Sequence, residues 1–254
     1  MAGPLACYSE FFRRTSLLDY HCHILPQMDD GPERLSECLT MLRRSKEQGV
    51  EVMVSTSHFY ADEDYPVQFV QRRNAAFLRL REEIVRNTES YPLIVLGAEV
   101  LYFPGISQAQ DIEKLTIGSG RSILVEPPMA PWSDAMLDEI VELGENLHCQ
   151  PVIAHVDRYM RMLKDKRLID RVLERNLLVQ VNASWFIDPK TVRFAVRNLK
   201  QGKIHLIGSD CHNLLSRRPN LGQARQQAKD YGAEAEFEKL RRNGLRLLFP
   251  RGNQ

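Results

Sequence analysis

Long hydrophobic runs are missing from this chain. Its aliphatic stretches, such as Leu93–Leu96 and Ile123–Val125, fall far short of the ~20 residues that a membrane-spanning helix needs, so no membrane insertion is expected. Charge of one sign is missing too. The 34 Lys and Arg nearly balance the 33 Asp and Glu, leaving a formal net charge of +1. That balance gives no reason to expect a nucleic acid or an anionic membrane surface as partner. The five cysteines (Cys7, Cys22, Cys38, Cys149, Cys211) include no C-x-x-C pair. Their odd number argues for reduced thiols in a cytoplasm. Low-complexity tracts, Gly/Ser linkers and obvious internal repeats are absent as well. Met1–Leu18 is not expected to act as a signal peptide, because Glu10, Arg13 and Arg14 interrupt its apolar residues. The expectation is a soluble cytoplasmic protein, read as a single domain over residues 1–254. Residues 1–16 would be an N-terminal extension able to serve as an oligomerisation or docking arm. No pattern in the chain sets an oligomeric state.

What is present is an alternation. Aliphatic or β-branched runs at Leu17–Tyr20, Val50–Val54, Leu93–Leu96, Ile123–Val125, Val152–Ala154, Leu177–Val181 and Ile204–Ile207 read as strands. Between them, Leu35–Gln48, Pro66–Arg86, Ser133–Gly144, Arg167–Arg175 and Thr191–Gln201 carry helical periodicity. Strands alternating with helices imply an α/β fold with a parallel sheet, doubly wound or closed. Each run is followed by a polar residue: His21 and His23, His58, Glu99, Glu126, His155, Asn182, then Asp210 and His212. An open sheet gathers its site at one switch point, whereas a barrel gathers every strand end at one mouth. The pattern therefore predicts a (β/α)7 TIM-like barrel with seven strands.

In an extended strand, residues two apart share a face, so His21 and His23 present two imidazoles side by side. Asp210 and His212 repeat the spacing with one anionic and one neutral group. Five of the seven histidines fall at carboxyl strand ends, beside Glu99, Glu126, Asp30 and Asp210, whereas His148 and His205 do not. A lone histidine is usually structural, but this convergence points to metal. Imidazole and carboxylate donors without thiolate suit Mn, Fe or Zn. The number of donors calls for roughly two or three ions, since a catalytic ion takes about three to five. Cys22 and Cys211, lying between the donors, should face the other way as packed thiols.

Arg158 and Arg217 follow His155 and Asp210 closely and should overhang the same mouth. Guanidinium groups beside a metal cluster are suited to a tetrahedral oxyanion such as phosphate. Salt bridging of Arg158 to Asp157 or another rim acid, and solvation of Arg217, are the plainer alternatives. A hydroxide bridging the metals would attack phosphorus in line, and Glu126, at a strand end stiffened by Pro127-Pro128, is a candidate acid for the leaving oxygen. A further ligand role for Glu126 is the alternative.

The motifs Asp19-Tyr-His-Cys-His-Ile-Leu-Pro-Gln-Met-Asp-Asp-Gly31, Ser55-Thr-Ser-His58, Gly97-Ala-Glu99, Leu124-Val-Glu126, Ile153-Ala-His155-Val-Asp-Arg158-Tyr159 and Gly208-Ser-Asp210-Cys-His212-Asn-Leu-Leu-Ser-Arg217 occur in this order. Together they resemble the polymerase-and-histidinol-phosphatase (PHP) superfamily. Within it, they are most similar to the manganese-dependent tyrosine-protein phosphatases of bacterial capsule and exopolysaccharide systems. The resemblance implies a distorted seven-stranded barrel with three metals, usually manganese. It implies hydrolysis of phosphotyrosine on a cognate bacterial tyrosine kinase that regulates capsule synthesis. By position it makes His21, His23, Asp30, His58, Glu99, His155, Asp210 and His212 metal ligands. Arg158 and Arg217 would bind phosphate, and Glu126 would be a proton donor or outer-sphere ligand. The chain departs from the family at three points. Phe59 stands where a second histidine would follow His58, Val156-Asp157 replaces Pro-Glu, and Gln27 replaces a glycine ahead of Asp29-Asp30.

Rival readings are few. Cys211 and Arg217 have the C-x5-R spacing of a cysteine phosphatase, but so do Cys7–Arg13 and Cys38–Arg44, and Cys211–Arg217 encloses no glycine to let backbone N–H groups converge on phosphate. A small-metabolite phosphatase, for histidinol phosphate for example, fits the same barrel, since the Phe59–Tyr65 and Ala183–Trp185 loops could frame either substrate. A metal-binding regulator without activity is the third class, and a polymerase-associated nuclease is disfavoured by the neutral charge.

Overall fold

The computed structural model describes residues 16–249, so the expected N-terminal extension lies outside the described residues except for Ser16. In chain order the elements are β1 (Leu17–Cys22), α1 (Leu35–Glu47), β2 (Val50–Ser55), β3 (His58–Phe59), α2 (Pro66–Arg86), β4 (Leu93–Leu96), β5 (Glu99–Leu101), β6 (Ser122–Glu126), α3 (Asp134–Leu147), β7 (Gln150–Ile153), α4 (Val156–Leu163), α5 (Leu168–Leu173), β8 (Leu178–Asn182), α6 (Ser184–Ile187), α7 (Val192–Lys200), β9 (Leu206–Gly208), α8 (Leu221–Asp230) and α9 (Glu234–Leu248). Local chemistry explains the boundaries. Pro66 occupies the first turn of α2, where its missing N–H costs nothing. Ser133 caps α3 by accepting from Met136 N at 3.1 Å. Cys38, Met41, Leu42 and Ser45 recur at helical spacing on α1 and form its buried face.

All strand pairs are parallel. The α/β alternation stands as expected, but hydrogen bonding does not draw one ring of seven strands. The described strands form a sheet of three, in the order β1-β2-β4, and a curled sheet of six, β3-β5-β6-β7-β8-β9. The extra strands arise because two of the expected runs break and resume. The break between β2 and β3 is Thr56-Ser57, and that between β4 and β5 is Gly97-Ala98. Bonds across these joints, Gly97 N to Ser55 O at 2.9 Å and Glu99 N to Ser57 O at 3.1 Å, carry the two sheets into each other. At the other side, β9 returns to β1. Asp210 N donates to His21 O at 2.8 Å, and a Cβ on Gly208 would lie 2.4 Å from His21 Cβ, so only glycine permits this approach.

Two buried clusters result. The larger lies between strands and helices. The smaller is enclosed by the inner strand faces, with Leu18, Tyr20, Val52, Val54, Leu124, Val152, Ala154 and Leu206, and it is closed by Leu245 and Leu248 of α9. Strand alternation carries the inner face onward from Leu124 to Glu126 and from Leu178 to Gln180 and Asn182. On β1 the register shifts between Asp19 and Cys22. As a consequence Cys22 joins Leu17 in the outer cluster instead of following Leu18 and Tyr20 inward. The inner face is thus apolar below and polar above, at the carboxyl ends of the strands.

Candidate metal centre

Glu99 is the hub of that polar end, and none of it is exposed. Parallel pairing sets it beside His58, its register partner on β3. Its Oε2 lies 3.1 Å from His21 Nε2, 3.2 Å from His23 Nε2 and 3.1 Å from His58 Nδ1. Its Oε1 lies 2.8 Å from His155 Nε2. Four imidazoles therefore surround one carboxylate. Asp210 Oδ1 is 3.7 Å from His21 Nε2 and 3.8 Å from His23 Nε2. Asp30, on the exposed rim, reaches His212 Nε2 at 3.0 Å and His58 Nε2 at 3.6 Å. Glu126 Oε1 is 3.3 Å from His155 Nε2, and its Oε2 is 3.7 Å from His58 Nδ1.

Three donor sets have a spacing able to hold an ion: His23, Asp30, His58 and His212; His21, His23 and Asp210; and His58, Glu99 and Glu126. His23 and His58 each belong to two sets. His155 is in none of them, yet it faces the hub carboxylate. Cys22 and Cys211 are buried in the outer cluster and also belong to no set.

The donors are oriented as ligands would be. His21 Nε2 and His23 Nε2 face each other at 3.2 Å, an arrangement that a shared cation relieves. Buried His58 Nδ1 and His212 Nε2 have no hydrogen-bond partner among the described residues, although each faces a carboxylate. On the far side of the rings, protein groups fix the tautomers. His23 Nδ1 bonds Asp29 Oδ2 at 2.7 Å, His212 Nδ1 bonds Asp210 O at 3.0 Å, and His21 Nδ1 bonds Gln180 Oε1 at 3.4 Å. Each contact accepts the Nδ1 proton and turns Nε2 toward the centre, where it can serve as the donor atom to a cation. These residues fit a divalent-metal cluster.

Asp29 and Gln180 escaped sequence reasoning. Asp29 also accepts His58 N at 3.0 Å and Gly31 N at 3.0 Å, tying the loop after β1 to β3. Gln180 Oε1 accepts His155 N at 2.5 Å. A signal for Gln180 existed: a polar residue between Val179 and Val181 on the face that also carries Asn182. Asn182 donates to Asp210 Oδ2 at 2.9 Å.

Charge in the cluster is strongly coupled to its geometry. Burial opposes the charged form of His155, but hydrogen bonds to Glu126 and Glu99 and the nearby Asp210 charge outweigh it and push the ring up to about 10. His23 is raised in the same way, burial being overcome by Asp29 and Glu99. Asp29 is held well below the carboxylate range because, against its burial, His23 and His58 favour the anion. Burial together with the His23 charge drives His212 down to about 3. The cluster thus pushes its imidazoles in opposite directions, His155 and His23 up and His58 and His212 down. The backbone is strained at the same place: His155 and Asp210 have φ of 30° and 53°, unusual for residues with a Cβ.

The arginines overhang this centre. Arg217 donates to Asp210 Oδ1 at 2.7 Å and to Asp30 Oδ2 at 3.2 Å, so it is not a merely solvated loop residue. Arg158, in the first turn of α4, has its guanidinium 3.9 Å from Glu126 Oε1. The rim acid it pairs with is thus Glu126 and not Asp157, which is buried and accepts Asn182 N at 2.9 Å. Tyr60 stacks on His58 with ring centroids 5.4 Å apart. His205 lies at the opposite end, its Nδ1 accepting Val179 N at 3.0 Å, and His148 ends α3.

Over residues 17–248 the chain matches the family model described as capsular polysaccharide synthesis, CpsB/CapC. It is 28% identical over 250 residues to the tyrosine-protein phosphatase CpsB of Streptococcus agalactiae, covering 91% of this chain and 98% of the relative. Its identity to the tyrosine-protein phosphatase CpsB of Streptococcus pneumoniae is 29% over 246 residues, with coverage of 91% and 98%. Its fold is similar to a solved chain from the crystal structures of Bacillus subtilis YwqE and S. pneumoniae CpsB, described as unique metal-dependent tyrosine phosphatases. The TM-score is 0.78 at 22% identity, covering 91% of this chain and 94% of that one.

Proposed function

The chain belongs to the CpsB/CapC family of capsular polysaccharide synthesis, and from that premise we propose that it is a metal-dependent protein-tyrosine phosphatase. Phosphotyrosine and water enter, and tyrosine and inorganic phosphate leave. The observation that carries the reading is the Glu99 hub, ringed by four imidazoles and overhung by two arginines.

His21, His23, Asp30, His58, Glu99, His155, Asp210 and His212 hold the ions, about two or three, with manganese as the native metal. When bound, such ions supply Lewis acidity to phosphoryl oxygens and lower the pKa of water. Arg217 and Arg158 bind the phosphate. Arg217 is kept ready by Asp210 and Asp30, whose hold loosens as a dianion offers better bidentate acceptors. Glu126, near both His155 and Arg158, hands a proton to the departing phenolate oxygen. Gln180 and Asn182 keep His155 and Asp210 in their strained backbone positions.

The scaffold is one domain, a distorted barrel of seven staves in which β2 continues into β3 and β4 into β5. The enzyme acts in the cytoplasm on a phosphotyrosine protein, a bacterial tyrosine kinase that controls capsule or exopolysaccharide synthesis. The test measures p-nitrophenyl phosphate and phosphotyrosine-peptide hydrolysis after chelation, with and without added manganese, with histidinol phosphate as competing substrate. Manganese should restore activity toward the peptide, and His155→Ala and Arg217→Ala should lose it. Activity that survives chelation, or faster turnover of histidinol phosphate, would overturn the reading.

A further inference from the structure

Overall charge balance conceals a strongly basic surface away from the metal centre. On α7, Arg193, Arg197 and Lys200 recur at i, i+4 and i+7, and on α9, Lys239, Arg242 and Arg246 recur at i, i+3 and i+7. Each set therefore occupies one helix face, and all six residues are exposed. Two open surface hollows of about 440 and 360 Å³ lie along these faces and adjoin at Lys200, together making a shallow furrow. Lys200 Nζ donates to Tyr231 O, while the other five cations make no ion pair with any described residue. Among the described residues, Glu236 is the one acid lining the furrow.

The furrow also has a direction. Thr191, which precedes α7, bonds Trp185 O at 2.7 Å, and Trp185 lies three residues beyond Asn182, the partner of Asp210. The Arg193 end of α7 is thus on the side of the metal centre. The Lys200 end approaches His205, at the opposite end of the strands.

From this arrangement we propose that the furrow between α7 and α9 docks an acidic polypeptide segment of the substrate protein, outside the metal centre. The proposal rests on the phosphatase reading and adds the charge of the substrate's flank. An elongated, open cationic track suits an extended anionic chain. A bilayer would favour apolar side chains able to insert, and Tyr231 is the one exposed large apolar residue lining the furrow among the described residues. Docking of this kind acts on encounter and KM, and salt screens it.

The test compares phosphotyrosine peptides carrying either an Asp/Glu run or a Ser/Gly run of about eight residues, long enough to span ~26 Å when extended. For the unmodified protein at low salt, the acidic flank should lower KM roughly tenfold, with the gain vanishing at high salt. In Arg197→Glu/Arg242→Glu/Arg246→Glu the gain should disappear while p-nitrophenyl phosphate turnover stays unchanged. Fluorescence anisotropy with a labelled, unphosphorylated Asp/Glu peptide reads the furrow without any catalysis. If that peptide binds the protein but not the variant, the furrow stands even where p-nitrophenyl phosphate hydrolysis fails and sinks the phosphatase reading. Equal KM for the two peptides, or a gain retained by the variant, overturns the proposal. So does binding to phosphatidylglycerol vesicles that the substitutions abolish when neither peptide is preferred.

Discussion

His155 and His205 flank strands of one parallel sheet at its opposite ends, and they are treated differently. His205 Nδ1 accepts the Val179 amide, and burial lowers its proton affinity. The contact is complete, and the ring is a piece of architecture. His155 faces two carboxylates, is pushed up to about 10 despite its burial, and sits at a positive φ. Nothing in the side chain distinguishes the two. What differs is whether the surroundings satisfy the ring or leave it needing a further partner.

That contrast can be broken at several points. Removing the hub should have the largest effect: Glu99→Ala is expected to lower metal content and turnover by more than the ~10- to 100-fold typical of an outer-layer change. Metal analysis and p-nitrophenyl phosphate kinetics would read both. Asp29→Ala, which frees His23 Nδ1 without touching a proposed ligand atom, should fall within that ~10- to 100-fold range, with the loss appearing in metal affinity. His205→Ala should do the reverse and leave turnover intact. It orphans the Val179 amide at a cost of about 1–3 kcal/mol, which denaturant unfolding would detect.

Acidity sharpens the comparison further. The folded-state pKa of His155 lies above the unfolded value of about 6.5, so its contribution to the stability of the metal-free protein is complete below that pH. The contribution is lost as pH rises through about 10. Unfolding midpoints of chelated protein should therefore fall across this window, and His155→Gln should flatten the slope. Metal uptake at neutral pH should release protons, visible as a buffer-dependent heat in calorimetry. The smallest effect is expected at Gln27, whose φ of 58° lies in the left-handed region. Gln27→Gly should stabilise by up to about 1 kcal/mol in thermal unfolding, because relief of the left-handed strain exceeds the entropy cost of glycine.

The strand ends were legible because chemistry and periodicity coincided there. A spacing of two residues placed His21 and His23 together, and the structure sets their Nε2 atoms 3.2 Å apart. The β1 register shift was not legible, because Leu-Leu-Asp-Tyr-His-Cys reads as smooth alternation. Nor were β3 and β5 visible: two residues long and three residues long, they carry too little hydrophobic pattern and depend on their neighbours for pairing. Helices α8 and α9 follow the last strand with no further strand between them, so the alternation that revealed the others was silent. Asp29 was hidden by its neighbour Asp30, since adjacent carboxylates are equivalent in sequence until a fold decides which turns inward.

Anomalous diffraction at the manganese edge, on crystals of the manganese-loaded protein, tests the central claim most directly. The account predicts peaks within coordination distance of Glu99, His21, His23, His58 and His155, absent from Glu99→Ala crystals. Manganese-restored phosphatase activity in a protein with no anomalous peak among these residues would contradict it.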